Sequence, residues 1–146
     1  MQIEYIKGDL LQTEVRGIIH GCNSKGVMGS GVAKAIRDKY PQAYRDYNDV
    51  YDGYGLDLGA IVVSVQDDGK VIYNAITQKD YGRQADRVYV SYWAIAEAFR
   101  KINSWGIKEI AMPKIGAGLA NGDWNVISAI IENTLIDTKP YVYVLE

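Results

Sequence analysis

Two strand-like runs, residues 15–19 and 108–112, each pass directly into a glycine-rich loop and then into a helical pattern, which limits the available folds more than any other feature. The first loop starts His20-Gly21-Cys22-Asn23 and continues through Gly26, Gly29, Ser30 and Gly31 into a helix over 32–40. The second reads Pro113-Lys114-Ile115-Gly116-Ala117-Gly118-Leu119-Ala120-Asn121-Gly122 and leads into a helix over 124–136, apolar at Val126, Ile127, Ile130, Ile131 and Leu135. A strand without polar alternation is buried on both faces, which places 15–20 in the interior of a sheet. Strands interleaved with helices predict an α/β fold with a mixed, mostly parallel sheet and helices on both faces. Ligands of such sheets sit beyond the carboxyl ends of the strands, so both loops should face one cleft.

The remaining segments complete this order. Ile3 and Tyr5 open a first strand that Gly8-Asp9-Leu10-Leu11 closes. Pro41 separates the first helix from a second over 42–51, with Ala43, Tyr47 and Val50 on one face. Strands over 60–66 and 70–75 flank the turn Asp67-Asp68-Gly69, a hairpin signal. The polar stretch 78–86 has no periodicity and reads as a surface loop. A third helix is expected over 88–103 and a last strand over 141–145. The order β, β, α, α, β, β, loop, α, β, α, β over residues 1–146 describes a single domain.

Glycine lets the backbone come close to a ligand with its N–H groups exposed, and helix starts carry unpaired N–H groups as well, so each loop suits a phosphate or a sugar. Neither loop ends in Gly-Lys-Ser/Thr and neither has the G-x-G-x-x-G spacing, which excludes the usual nucleotide and dinucleotide loops. Asn23, at a strand end, can both donate and accept hydrogen bonds and suits the vicinal hydroxyls of a ribose. A net charge of −2 without a basic run argues against broad electrostatic binding of nucleic acid, though not against one modified end. Cys22 and His20 are the sole cysteine and histidine, so no disulfide, metal site or cofactor is expected, and a reducing compartment fits. The first residues lack the pattern of a signal peptide and no apolar segment reaches ~20 residues. The expectation is a cytoplasmic monomer, or a nuclear one, with no membrane association.

Tyr5-Ile6-Lys7-Gly8-Asp9-Leu10, His20-Gly21-Cys22-Asn23, Met28-Gly29-Ser30-Gly31-Val32-Ala33, Pro113 to Leu119 and the closing Val142-Tyr143-Val144-Leu145 occur in this order along the whole chain. Together they resemble the macrodomain family, whose fold is a three-layer α/β/α sandwich that binds ADP-ribose. The chain is most similar to the branch that holds small ADP-ribose-1″-phosphate phosphatases and terminal ADP-ribose glycohydrolases. The resemblance implies that Asp9, with Leu10 beside it, holds the adenine amino group. Asn23, Gly29, Ser30, Gly31 and Val32 would surround the distal ribose, and Ile115, Gly116, Ala117, Gly118 and Leu119 would wrap the diphosphate. Tyr143 packs either against the base or in the core. A carboxylate such as Asp9 at a strand end also caps backbone N–H groups by itself.

Three residues are candidates for chemistry. His20 titrates near neutrality and can act as acid, base or nucleophile at a 1″-phosphate, or be satisfied within the strand. Lys79 stands where the glycohydrolase branch has a lysine that attacks C1″, a role that needs a base nearby. The aspartate that helps in that branch is replaced by Ala120, with Asp123 three residues on; a solvated loop lysine is the other reading. The resemblance thus implies hydrolysis at C1″ of ADP-ribose, with ADP-ribose-1″-phosphate as first substrate. Release of ADP-ribose from a modified protein or nucleic acid, and binding without catalysis, are the alternatives.

Overall fold

The computed structural model describes residues 1–145, and within them the strands form a six-stranded sheet in the order β1-β6-β5-β2-β4-β3. These are β1 (Glu4–Lys7), β2 (Gly17–Asn23), β3 (Ile61–Val65), β4 (Val71–Gln78), β5 (Glu109–Met112) and β6 (Lys139–Val144). Only the hairpin partner β3 runs antiparallel; every other neighbouring pair is parallel. The carboxyl ends Lys7, Val144, Met112, Asn23 and Gln78 therefore share one edge of the sheet. The mixed α/β architecture expected from the interleaved elements is the observed one.

Helices α1 (Gly31–Lys39) and α2 (Pro41–Tyr54) cover one face, and α3 (Tyr92–Ser104) and α4 (Trp124–Thr134) cover the other. Strand periodicity distributes β2 between them. Ile18 packs with Ile36, Tyr40 and Ala43 on the first face, while Ile19 packs with Phe99, Ile102, Ile127 and Ile131 on the second. Cys22 joins Met28, Tyr47 and Ile76 in a third apolar cluster on the α2 side. Among the described residues no helix is long and apolar enough to cross a membrane.

Of the boundaries that differ from the sequence expectation, two beside the cleft have a tertiary reason. Strand β2 continues past residue 20 to Asn23, because β4 extends to Gln78 and pairs with it through a bulge at Cys22/Asn23. Helix α3 begins at Tyr92 rather than at 88, because Tyr89 and Val90 are drawn into the second glycine loop, both donating to the Ala120 carbonyl. Ser91 then caps α3, its Oγ accepting from the Ala94 N–H at 3.1 Å. Ser91→Ala should cost about 1 kcal/mol, read as a lowered denaturation midpoint with unchanged m-value.

Candidate active site

The two glycine loops and the β4–α3 connection enclose a cavity of about 740 Å³ at the carboxyl edge of the sheet. A volume of this size suits a single small-molecule ligand. Asn23, Gly29, Ser30, Gly31 and Val32 line it from the β2–α1 side, and Ile115, Gly116, Gly118 and Leu119 from the β5–α4 side. The expected meeting of the two loops over one cleft is therefore the arrangement seen.

The first loop is built from below by α2. Asn23 Oδ1 accepts from the Lys25 N–H at 2.9 Å, and Asn23 Nδ2 donates to the Val27 carbonyl at 2.8 Å. The Tyr47 hydroxyl, itself buried, donates to the Asn23 carbonyl at 2.6 Å. Asn48 Nδ2 donates to the Gly26 carbonyl at 2.9 Å, and the Tyr51 ring occupies the space that a Cβ on Gly26 would need. Gly26 has φ +80°, so the loop bends there at a conformation that favours glycine. Asn23 thus shapes the loop as well as facing the cavity, with one amide hydrogen left over.

Helix α1 differs from α3 and α4 at its start. Asp123 and Ser91 cap their own helices through side-chain oxygens, whereas Ser30 makes no capping bond to α1. Among the described residues the N–H groups of Gly29, Gly31 and Val32 have no partner, and neither do those of Gly116, Gly118 and Leu119. Unpaired amides at a helix start and in a glycine loop carry partial positive charge and bind anions. Among the described residues no aspartate or glutamate lines the cavity, although the chain has 18 of them. An anion placed here meets donors from both sides and no opposing carboxylate.

Several expected residues sit elsewhere. His20 borders the cavity floor, but it is only 1% exposed, and its Nε2 lies 2.6 Å from Asn74 Oδ1 on the α2 side. Burial pushes the imidazole down from 6.5 to about 4, only partly offset by the bond to Asn74. The ring is neutral, enclosed and bonded to Asn74, as the alternative of a histidine satisfied within the strand has it. Cys22, at 3.6 Å from His20 Nε2, has its thiol pKa raised by burial and remains protonated packing.

Lys79 is exposed and does not line the cavity; its neighbour Gln78 does. Successive residues at a strand end point to opposite sides, so the position aimed at the ligand carries an amide, which cannot serve as a nucleophile. Asp123 is likewise outside, its Oδ1 accepting from the Asn125 N–H at 2.9 Å as the cap of α4. Neither member of the candidate lysine and aspartate pair lines the cavity.

On the adenine side, Leu10 is buried in the core with Ile18 and Ile36, and Tyr143 packs against the same cluster with its hydroxyl 2.7 Å from Thr13 Oγ1. Leu10 is a core residue and Tyr143 a half-buried one packed against the core; neither lines the cavity, and Ala117 does not line it either. Asp9 caps the short turn Leu10–Gln12, its Oδ1 accepting from the Leu11 N–H at 3.0 Å. It stands beyond the cavity, at the carboxyl end of β1 on the same sheet edge, and among the described residues its Oδ2 has no partner.

Tyr81, Gly82, Arg83 and Lys114 line the cavity and were not indicated by sequence reasoning. The first three lie in the stretch read as a surface loop. That loop leaves β4, and only the sheet order, which sets β4 beside β2, brings it over the ligand.

The fold and this cleft define an α/β/α domain with a main-chain anion site at its sheet edge. The chain belongs to the macro domain family, whose model matches residues 19–131. Among its relatives is an ADP-ribose 1″-phosphate phosphatase of Candida albicans, 27% identical over 135 residues, covering 84% of this chain and 86% of the relative. A DNA ADP-ribosyl glycohydrolase of Mycobacterium bovis is 30% identical over 125 residues, covering 84% of this chain and only 35% of that protein. A Bacteroides thetaiotaomicron protein of unknown function superposes with a TM-score of 0.87 at 29% identity, over 98% of both chains.

Proposed function

We propose that this chain binds ADP-ribose and hydrolyses the substituent at C1″, with ADP-ribose-1″-phosphate as its preferred substrate. The observation that carries the reading is the set of unpaired amides converging from two loops on a cavity that no carboxylate among the described residues lines. A diphosphate fits that donor set, and the similarity to the Candida phosphatase, over 86% of that relative, supports the phosphatase reading. The chain is read as a cytoplasmic monomer acting on a soluble ligand.

In the phosphatase reaction water attacks phosphorus, the P–O1″ bond breaks, and the 1″ oxygen keeps the bonding electrons and takes a proton, giving ADP-ribose and inorganic phosphate. Holding the diphosphate and the distal ribose fixes the reacting phosphate, and oriented donors oppose its charge. Catalysis is thus positional and electrostatic rather than dependent on the His20 ring.

The similarity to a DNA ADP-ribosyl glycohydrolase favours a second reading, release of ADP-ribose from a modified nucleic acid or protein. Incubation with ADP-ribose-1″-phosphate and, separately, with ADP-ribosylated DNA and protein decides between them. Phosphate release alone supports the first reading, free ADP-ribose from an acceptor the second, and tight binding without turnover a non-catalytic reader. Lys79→Ala is expected to change phosphate release less than about twofold, as for an exposed residue outside the site. A large loss of activity would return the lysine mechanism.

A further inference from the structure

We propose that Arg83 forms an anion subsite at the distal end of the cavity and selects for a phosphate at C1″, an inference that rests on reading the cavity as an ADP-ribose site. Arg83 lines the cavity, and among the described residues its guanidinium has neither a hydrogen bond nor an ion pair. Lys114, also without an ion pair among the described residues, lines the cavity from the β5 side, whereas two cations near Arg83 on its own side are engaged. Arg87 Nη2 is 2.9 Å from Asp80 Oδ2, and Lys25 Nζ is 3.6 Å from Asp80 Oδ1. Asp80 itself does not line the cavity, so among the described residues nothing acidic lines it beside Arg83.

Sheet order gives the subsite its place along the ligand. The amide-bearing loops leave β2 and β5, which are adjacent, and a diphosphate between them lies over that pair. Asp9 follows β1, beyond β6 on one side, while Arg83 follows β4, on the other side of β2. A ligand laid with its adenine toward Asp9 directs its distal ribose toward Arg83. The planar guanidinium fork matches a phosphate bidentately and gains nothing from an uncharged ester or glycosidic substituent at the same carbon. Arg83 is therefore a specificity determinant: the loop amides hold what all ADP-ribosyl ligands share, and Arg83 reads what is attached.

The test compares wild type with Arg83→Gln and Arg83→Lys. Displacement of a fluorescent ADP-ribose analogue, read within seconds of mixing, gives the ratio of affinities for ADP-ribose-1″-phosphate and ADP-ribose. In wild type the phosphorylated ligand should bind at least about tenfold tighter, as one charge-assisted pair warrants, with a preference that shrinks as salt rises. Arg83→Gln should abolish the preference and Arg83→Lys should restore part of it. An unchanged ratio in Arg83→Gln, including an equal weakening of both ligands, would overturn the subsite. A wild type that binds ADP-ribose without preferring the phosphate would also overturn it while leaving the proposed function standing. A wild type that does not bind ADP-ribose at all would remove both.

Discussion

Gly118→Val should fold and melt as the wild type does, yet lose at least about a hundredfold in affinity for ADP-ribose, some 2.7 kcal/mol. Gly118 lines the cavity, and a Cβ there would meet no protein atom within 4 Å, at a backbone conformation open to any residue. Nothing in the folded protein resists the added Cβ, so the stability cost expected is that of an exposed substitution. The ligand resists it instead, because a valine fills the space through which a phosphate reaches the Gly118 and Leu119 amides. Losing two hydrogen bonds to a charged group accounts for a loss of that size. Thermal denaturation and calorimetric titration on one sample separate the two effects. Gly116→Val is the informative contrast: it combines φ +79° with a Cβ 2.9 Å from Val90 Cγ2, and should lose stability as well as binding.

The second large effect is on stability against acid. His20 is held neutral, with its pKa moved from 6.5 to about 4 by burial. Between those values the unfolded chain binds a proton that the folded chain does not. Its stability is fully present above pH 6.5 and declines as pH falls toward 4, by on the order of 3 kcal/mol. Denaturant unfolding at pH 7.5 and at pH 4.5 should show this decline in wild type and a smaller one in His20→Asn, which keeps a hydrogen-bonding group but has no proton to gain. The same variant tests the chemistry. If the ring has no part in turnover, the folded variant releases phosphate with a pH profile parallel to that of wild type. A missing limb in the variant's profile would restore His20 to the reaction.

What was legible in the sequence, and what was not, follows from the physics of each position. The order of strands and helices was readable because turns and apolar periods are local. The two glycine loops were readable because each follows a strand, and topology then places both at one edge. The side on which His20 points was not, since β2 is buried on both faces and its pattern carries no parity that marks the cavity. Leu10 and Tyr143 fall under the same limit: their motifs place them near the adenine side, but only packing shows that Leu10 is core and Tyr143 half-buried against it. The contribution of Gln78, Tyr81 and Arg83 needed sheet order, a long-range property that no window of residues contains. The support that Tyr47 and Asn48 give the first loop had a weak signal, a hydroxyl on the apolar face of α2 that must find a partner when buried.

The proposed function rests on two loops holding an anionic ligand through their main-chain amides. Amide-resolved NMR during an ADP-ribose titration tests this most directly. It predicts that the N–H resonances of Gly29, Gly31, Val32, Gly116, Gly118 and Leu119 shift together, saturate at one affinity and move more than any others in the chain. Shifts confined to one loop, or saturation that leaves both loops unperturbed, would contradict it.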